Sequence, residues 1–385
     1  MRIAHVSIVH KPLDIRIFQK ECRTLAAAGH EVHLLIPDPP SAEIDGVRFH
    51  AIPGLGGVNY FWRALRRLPT AYRRARAVDA SVYHLHDPHL IPLGLLLKRT
   101  GAVVVYDAHE DSPRQAVSIY FDRPLIGRAH AVVWSVLEWL ARRRFDAFVA
   151  ATPRILERFP EARSVVVHNF PLAEEFCHPS LDGARLPQGE REHTVVYVGG
   201  ITAVRCIREM VDMLELVPAA LGARLVLMGE FSKERPELEV EVRARRGWER
   251  VEYLGYRSRG EVVEQLAKAR IGLVLMYPLP NHVEAMPNKM WEYMAAGLPI
   301  IASNFPYWEG ILSRAGCGLV VDPKDPRGIA EAVEYLLRHP DEAEAMGRRG
   351  REAYEQRYNW APEGERLVGV YRDLAARLQS EARAS

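Results

Sequence analysis

Short apolar runs rich in β-branched residues alternate with helix-length amphipathic segments along almost the whole of this 385-residue chain. A strand buried on both faces reads as an unbroken apolar run, and its parallel neighbour is reached only through a crossover, usually helical. The pattern therefore demands parallel sheets covered by helices, an α/β fold. In the first half the expected strands are 3–9, 31–36, 47–52, 82–86, 103–107, 147–150 and 164–167, with a helix over 17–28 closed by Gly29. The cycle stops, then restarts near Thr194. From there strands are expected at 194–198, 224–228, 251–254, 271–276, 299–302 and 318–321. Helices are expected at 207–217, 259–269, 287–296, 326–338 and 362–383.

The stretch between the halves, 171–193, carries Pro, Gly, Ser and charge but no period, so it reads as a linker. The expected domains are 1–180 and 190–358, each Rossmann-like, with a final helical segment 360–385. Such a length suits two domains of roughly 100–200 residues each. Four cysteines, Cys22, Cys177, Cys206 and Cys317, lie scattered without a C-x-x-C pair. That argues for a reducing compartment and against a disulfide framework or a zinc ribbon. The start, MRIAHVSIVH, turns polar too soon for a signal peptide, and no run approaches the ~18 apolar residues of a membrane span. The expectation is a cytoplasmic protein. A net charge of +2 gives no reason to expect nucleic acid as a partner.

Chemistry concentrates in residues 281–304, NHVEAMPNKMWEYMAAGLPIIASN. Pro287 suits the first helical position, where its missing N–H costs nothing. Gly297 suits the left-handed residue that closes the helix. Lys289 and Glu292, three residues apart, share a helix face. Glu284 stays in the loop ahead. A loop carboxylate, a cation and a carboxylate on one face, and a helix N-terminus fit a ligand both hydroxylated and anionic, such as a nucleotide-sugar. Two glutamates at helical spacing are more often a solvated face. Here the adjoining proline, glycine and apolar strand favour a site.

Other candidates stand at strand ends. The turn Gly199-Gly200 after strand 194–198 lets the backbone approach a ligand closely, though any tight turn would use such a pair. Arg205 follows, and the next helix start can face phosphate oxygens. Arg205 and Lys289 are the candidate phosphate cations; an exposed surface position is the plainer alternative for either. His109, in VVVYDAHEDSP, closes a buried strand, the edge where open α/β sheets bind ligands. Asp107 and Glu110 flank it, placed to orient it or to meet an acceptor. In YHLHDPHL, His84 and His86 alternate onto one face of a strand that must itself be buried. The cluster His84, His86, Asp87 and His89 therefore resembles a metal site only superficially, and a structural or acceptor-side role for His86 and Asp87 is expected ahead of metal. In the first loop Arg16 has two readings of equal weight, pairing with Asp14 or reaching phosphate or acceptor. Two basic, aromatic-bearing stretches, 60–76 (opening Tyr60-Phe61-Trp62-Arg63) and 134–144, read either as ordinary half-buried helices or as surfaces lying on an anionic membrane.

The glutamate pair separated by seven residues, followed by a small-residue turn and Gly-x-Pro, resembles the signature of the retaining glycosyltransferases of family 4. Glu284, Glu292, Gly297 and Pro299 match it. Pro287-Asn288-Lys289 and Glu292-Tyr293-Met294-Ala295 are similar to the branch that builds bacterial surface polysaccharides. The resemblance implies the GT-B fold, two Rossmann-like domains facing across a cleft that holds the active site. It implies a nucleotide-sugar donor, UDP being the commonest nucleotide, a glycan or lipid-linked acceptor, and transfer with retention. It further implies no cofactor and no metal. In the family the second glutamate holds the ribose, the first contacts donor-sugar hydroxyls, and a histidine placed like His109 contacts the donor sugar. His109 and Glu284 are thus the expected catalytic residues, and Gly199, Gly200, Arg205, Lys289 and Glu292 the expected donor-binding ones. The tail helix is expected to return to the N-terminal domain.

Two departures matter. The family's Gly-x-Gly after the first glutamate is Ala285-Met286-Pro287 here, which removes bare amides from the donor. Its arginine after the first glycine of the phosphate loop is Gly200, and Lys289 is expected to replace the lost charge. A sugar-nucleotide epimerase on the same architecture, or a non-catalytic nucleotide-sugar-binding subunit, remains open at this point.

Overall fold

The computed structural model describes residues 1–53, 60–120, 123–176, 191–233 and 235–384, leaving out the side chains of 60–65 and 381–384. Most of the expected linker, and the side chains of Tyr60-Phe61-Trp62-Arg63, lie outside the described residues. The chain divides into two compact units, one of Met1–Asn169 with Trp360–Ser385, the other of Phe170–Asn359.

The first unit is built on eight strands: β1 (Arg2–Val6), β2 (Glu31–Pro37), β3 (Glu43–Ile44), β4 (Val47–Ile52), β5 (Val82–Leu85), β6 (Val103–Ala108), β7 (Ala147–Ala150) and β8 (Ser164–Val166). Their order is β3-β4-β2-β1-β5-β6-β7-β8, parallel throughout except for β3 against β4. The chain runs outward in one direction from β1 through β2 and in the other from β5, so the order reverses between β1 and β5. Open sheets offer a crevice at the carboxyl ends of strands at such a reversal. β5, β6 and β7 are buried along their whole length, which explains why they read as unbroken apolar runs. The terminal helix Trp360–Ala384 belongs to this unit. Trp360 Nε1 donates to Thr24 Oγ1 at 2.9 Å, and the Glu363 carboxylate accepts the His168 backbone N–H at 2.9 Å.

The second unit has six parallel strands: β9 (Thr194–Val198), β10 (Arg224–Met228), β11 (Val251–Gly255), β12 (Ile271–Val274), β13 (Ile300–Ser303) and β14 (Gly318–Val321). The order is β11-β10-β9-β12-β13-β14, reversing between β9 and β12. Gly272 in β12 has no room for a side chain, because a Cβ there would stand 2.3 Å from the Tyr293 ring. Among the described residues no helix is long and apolar enough to cross a membrane.

Three expectations on local structure need correction. The first strand ends at Val6 rather than residue 9. The helix expected over 17–28 begins at Ile15, and Ile15–Cys22 winds as a π-helix. Asp14 sets that wide turn: its carbonyl accepts from both Phe18 and Gln19, at 3.0 and 3.1 Å, while its carboxylate caps the Arg16 and Ile17 amides. Pro287 is the N-cap, with extended backbone at ψ 126°, and the helix starts one residue later, Asn288–Ala295.

Candidate functional site

In the second unit the residues after β9 and after β12 meet where the strand order reverses. Gly199 (φ 122°) continues β9 by donating to the Met228 carbonyl at 2.8 Å. Gly229 makes that approach possible, since a Cβ on it would lie 2.0 Å from the Gly199 carbonyl oxygen. The turn is gripped from below: Tyr197 Oη and Arg205 Nη1 donate to the Gly200 carbonyl at 3.0 and 3.2 Å. Arg205 ends a short 3-10 turn, Ala203–Arg205, and the left-handed Cys206 (φ 60°) opens the helix Ile207–Leu216.

Lys289 comes to the same turn from the helix Asn288–Ala295. It is 7% exposed, and among the described residues its Nζ has no hydrogen-bond partner. The ammonium sits 3.5 Å from the centroid of the Tyr197 ring. A Cβ built on Gly199 would lie 3.6 Å from Lys289 Nζ and 3.8 Å from Arg205 Nη1. Burial, then the Arg205 charge, push the Lys289 amine well below its usual range; the Glu292 carboxylate only partly opposes this. Among the described residues two basic side chains thus converge on one glycine turn with no carboxylate hydrogen-bonded to Lys289, and the ring beneath Lys289 supplies only its negative face. Such a cluster favours an anion.

Glu292 is also buried, but its partner is not Lys289. Arg259 Nη1 donates to Glu292 Oε1 at 2.7 Å, while Arg259 Nη2 reaches Glu175 Oε2 at 2.6 Å. The two carboxylates hold the guanidinium charged against burial. Sequence reasoning missed Arg259. The legible signal was only the helix start: Ser258 and Glu261 form a capping box that puts Arg259 at the first position of helix Arg259–Lys268, and nothing local pairs it with Glu292. Gly297 (φ 66°) closes the helix as expected, donating to Met294 O at 3.0 Å. Glu284 is exposed in the turns that precede the helix, where Trp308 Nε1 pins the adjoining Ala285 carbonyl at 2.7 Å. Glu284, Lys289, Glu292, Arg205 and the glycine pair therefore share one unit and one sheet edge.

His109 follows β6 in the first unit. Its Nε2 is 2.8 Å from Asp107 Oδ2 and 3.2 Å from His86 Nδ1, so Asp107 does orient it. Asp107 is not placed to meet an acceptor, however: it is fully buried and bound bidentately by Arg16, Nε to Oδ2 at 3.1 Å and Nη2 to Oδ1 at 2.9 Å. This corrects the reading of Arg16. Its guanidinium meets Asp107, Glu21 at 3.0 Å and the Val167 carbonyl at 2.8 Å; Asp14 takes only its backbone N–H. Burial opposes the Asp107 charge, but Arg16 and then His109 hold the carboxyl well below its usual range, while burial and Asp107 push Glu21 well above. Asp87 accepts from Ser7 Oγ and the Ile8 amide at 2.9 Å each, and its Oδ1 lies 3.1 Å from His10 Nδ1. His89 turns away to pack edge-on against Trp134, ring centroids 4.7 Å apart.

Two family models match this chain, one in each half. Residues 183–353 match the family model for glycosyl transferases group 1, and residues 17–170 match that for glycosyltransferase family 4. A glycogen synthase of Mycobacterium tuberculosis is 23% identical over 418 residues, covering 98% of this chain and 95% of its own. D-rhamnosyltransferase WbpZ of Pseudomonas aeruginosa is 26% identical over 300 residues, 74% of this chain and 71% of its own. Among solved structures, sucrose-phosphate synthase from Thermosynechococcus elongatus superposes with a TM-score of 0.78 at 19% identity, covering 98% of this chain and 99% of its own. Anabaena HepE, solved in complex with UDP and glucose, gives 0.72 at 14% identity, covering 99% and 100%.

Proposed function

We propose that this chain, which belongs to the group 1 glycosyltransferases of family 4, moves a sugar from a UDP-linked donor to a glycan or lipid-linked acceptor with retention of configuration. One observation carries the reading: Lys289 Nζ, buried and without a hydrogen-bond partner among the described residues, converges with Arg205 on the Gly199-Gly200 turn. A buried ammonium without an anion costs several kcal/mol unless it sheds its proton, by order of magnitude. A diphosphate supplies the missing charge. When the glycosidic bond breaks, negative charge grows on that diphosphate, and cations already fixed beside it favour the transition state over the ground state. They serve where other enzymes use a divalent metal, so transfer itself is metal-independent in this proposal.

The remaining roles follow the family resemblance. Glu292, braced by Arg259, takes the ribose hydroxyls. Glu284 takes hydroxyls of the donor sugar, and His109 stabilises the transferring sugar. The leaving phosphate accepts the acceptor's proton on the same face, so no side chain acts as general base. That HepE was solved with UDP and glucose on this fold supports the choice of nucleotide.

Peripheral membrane contact is part of the proposal. Along the helix Pro124–Arg144, Leu125, Val132, Val136 and Trp139 are exposed at heptad-like spacing, 78%, 63%, 51% and 48%, and the helix ends Arg142-Arg143-Arg144. An exposed apolar stripe beside a basic cluster suits an anionic bilayer on the inner face of a membrane. Incubation with a panel of nucleotide-sugars tests the function. Sugar-dependent release of free UDP is expected; a changed sugar on intact nucleotide, or binding without turnover, overturns it.

A further inference from the structure

The buried cluster around β5 and β6 does more than orient His109. We propose that Glu21, His84, His86 and Asp107 form a closed four-ligand site for a divalent transition-metal ion of the zinc class. One donor atom from each of these four buried residues lies within 4.8 Å of the other three. His86 Nδ1 is 3.4 Å from Asp107 Oδ2 and 3.8 Å from Glu21 Oε2. His84 Nε2 is 3.8 Å from Asp107 Oδ2 and 3.9 Å from Glu21 Oε2. Zinc bound tetrahedrally at about 2.0–2.2 Å sets neighbouring donors roughly 3.3–3.6 Å apart. The four histidine–carboxylate pairs therefore close on the ion by about half an ångström or less, and the remaining pairs, all within 4.8 Å, by up to about 1.3 Å. Two imidazoles and two carboxylates are donors that suit zinc.

Two further observations point inward. His84 Nε2 and Glu21 Oε2 are buried and have no hydrogen-bond partner among the described residues. Buried polar atoms are normally satisfied, so a pair facing each other asks for an occupant. Both histidines also have their second nitrogen already engaged. His84 Nδ1 is 2.6 Å from Tyr371 Oη, and His86 Nε2 is 2.8 Å from His5 Nδ1. Outer partners of this kind fix the tautomer that presents a lone pair to a metal. Arg16 holds both carboxylates from behind. With His109 Nε2–H bonded to Asp107, His86 Nδ1 is left for the ion.

Four protein donors leave no open coordination position, so the site is structural and takes no part in sugar transfer. It ties the π-helix, two strands and, through Tyr371, the terminal helix to one point. The competing occupant is a proton shared between Glu21 and Asp107. The sequence concealed the site because residues 21 and 107 come from distant elements, and their carboxylates complete what two strand histidines alone cannot.

The full-length, untagged protein decides between them. After zinc saturation and exhaustive dialysis, elemental analysis is expected to give one zinc per chain. The chelator-stripped protein should take up cobalt(II) with an intense visible band of tetrahedral type. Glu21→Gln should lose both. Tyr371→Phe keeps all four donors and removes only an outer hydrogen bond, so it should fold and bind zinc about 10–100-fold more weakly. Less than a tenth of an equivalent of zinc with no cobalt band, or unchanged zinc affinity in both variants, overturns the proposal.

Discussion

The two units bury charge in opposite ways. In the first, Glu21 and Asp107 share one guanidinium, Arg16, and Glu21 keeps a proton more readily than usual for want of a second positive charge. In the second, Glu292, the carboxylate on the helix that carries Lys289, is already claimed by Arg259, and Lys289 Nζ has no hydrogen-bond partner among the described residues. Each surplus names the sign of what its pocket takes. The first is sealed under strands and held from every side. The second stands at a glycine turn whose backbone is bare, at the edge where parallel sheets bind ligands. Buried imbalance in a closed place speaks of structure, and the same imbalance at a strand end speaks of substrate.

The largest expected effect comes from Glu292→Ala. It removes the proposed ribose contact and leaves Arg259 with Glu175 alone, so UDP affinity should fall 100-fold or more by calorimetry. An unchanged affinity breaks the assignment of the second unit as the donor-binding one. Next is Lys289→Met. Removing a buried amine without a hydrogen-bond partner among the described residues should raise the stability of the ligand-free protein by about 1 kcal/mol or more, even as it weakens the donor site. Thermal melts with and without UDP read both effects, and a destabilised ligand-free variant would mean that Lys289 is matched after all.

Gly200→Arg sharpens the same point. A Cβ at residue 200 meets only the end of the Arg205 side chain, at 3.0 Å. Placed in the Lys289→Met background, the new arginine should recover about tenfold in UDP affinity if Lys289 replaces that charge; no recovery separates the two positions. Arg259→Gln should cost about tenfold, by freeing Glu292 rather than by touching the ligand. A fall in donor affinity without change in affinity for inorganic diphosphate is the expected signature.

The smallest effect tests a matched charge of the first unit. Burial opposes the Glu363 charge, but the hydrogen bonds from His168 hold its carboxyl below the usual range. Its stabilisation is therefore fully present above the unfolded value, about 4.3, and is lost as pH falls through the lower folded value. Denaturant midpoints of wild type and Glu363→Gln should converge as pH drops from 6 to 3; parallel curves would contradict it.

The sheets were the most legible part of the sequence. Strands such as 147–150 and 194–198 match residue for residue because buried parallel strands leave an unbroken apolar run. The π-winding of Ile15–Cys22 was not legible, since it depends on one carbonyl of Asp14 accepting twice. Residues 281–304 exposed Glu284, Lys289 and Glu292 together because a helix and its loop are local. Arg259 and Glu175 stayed hidden because they reach Glu292 only through tertiary packing. Arg16 misled for the same reason: its neighbour in sequence is Asp14, but its partner is Asp107, on β6.

Titration of UDP and of uridine into the wild type and Lys289→Met tests the central claim most directly. If the buried ammonium and Arg205 grip the diphosphate, the wild type should bind UDP far more tightly than uridine. The variant should lose most of that difference and keep its affinity for uridine. Equal UDP affinity in the two proteins would contradict the account.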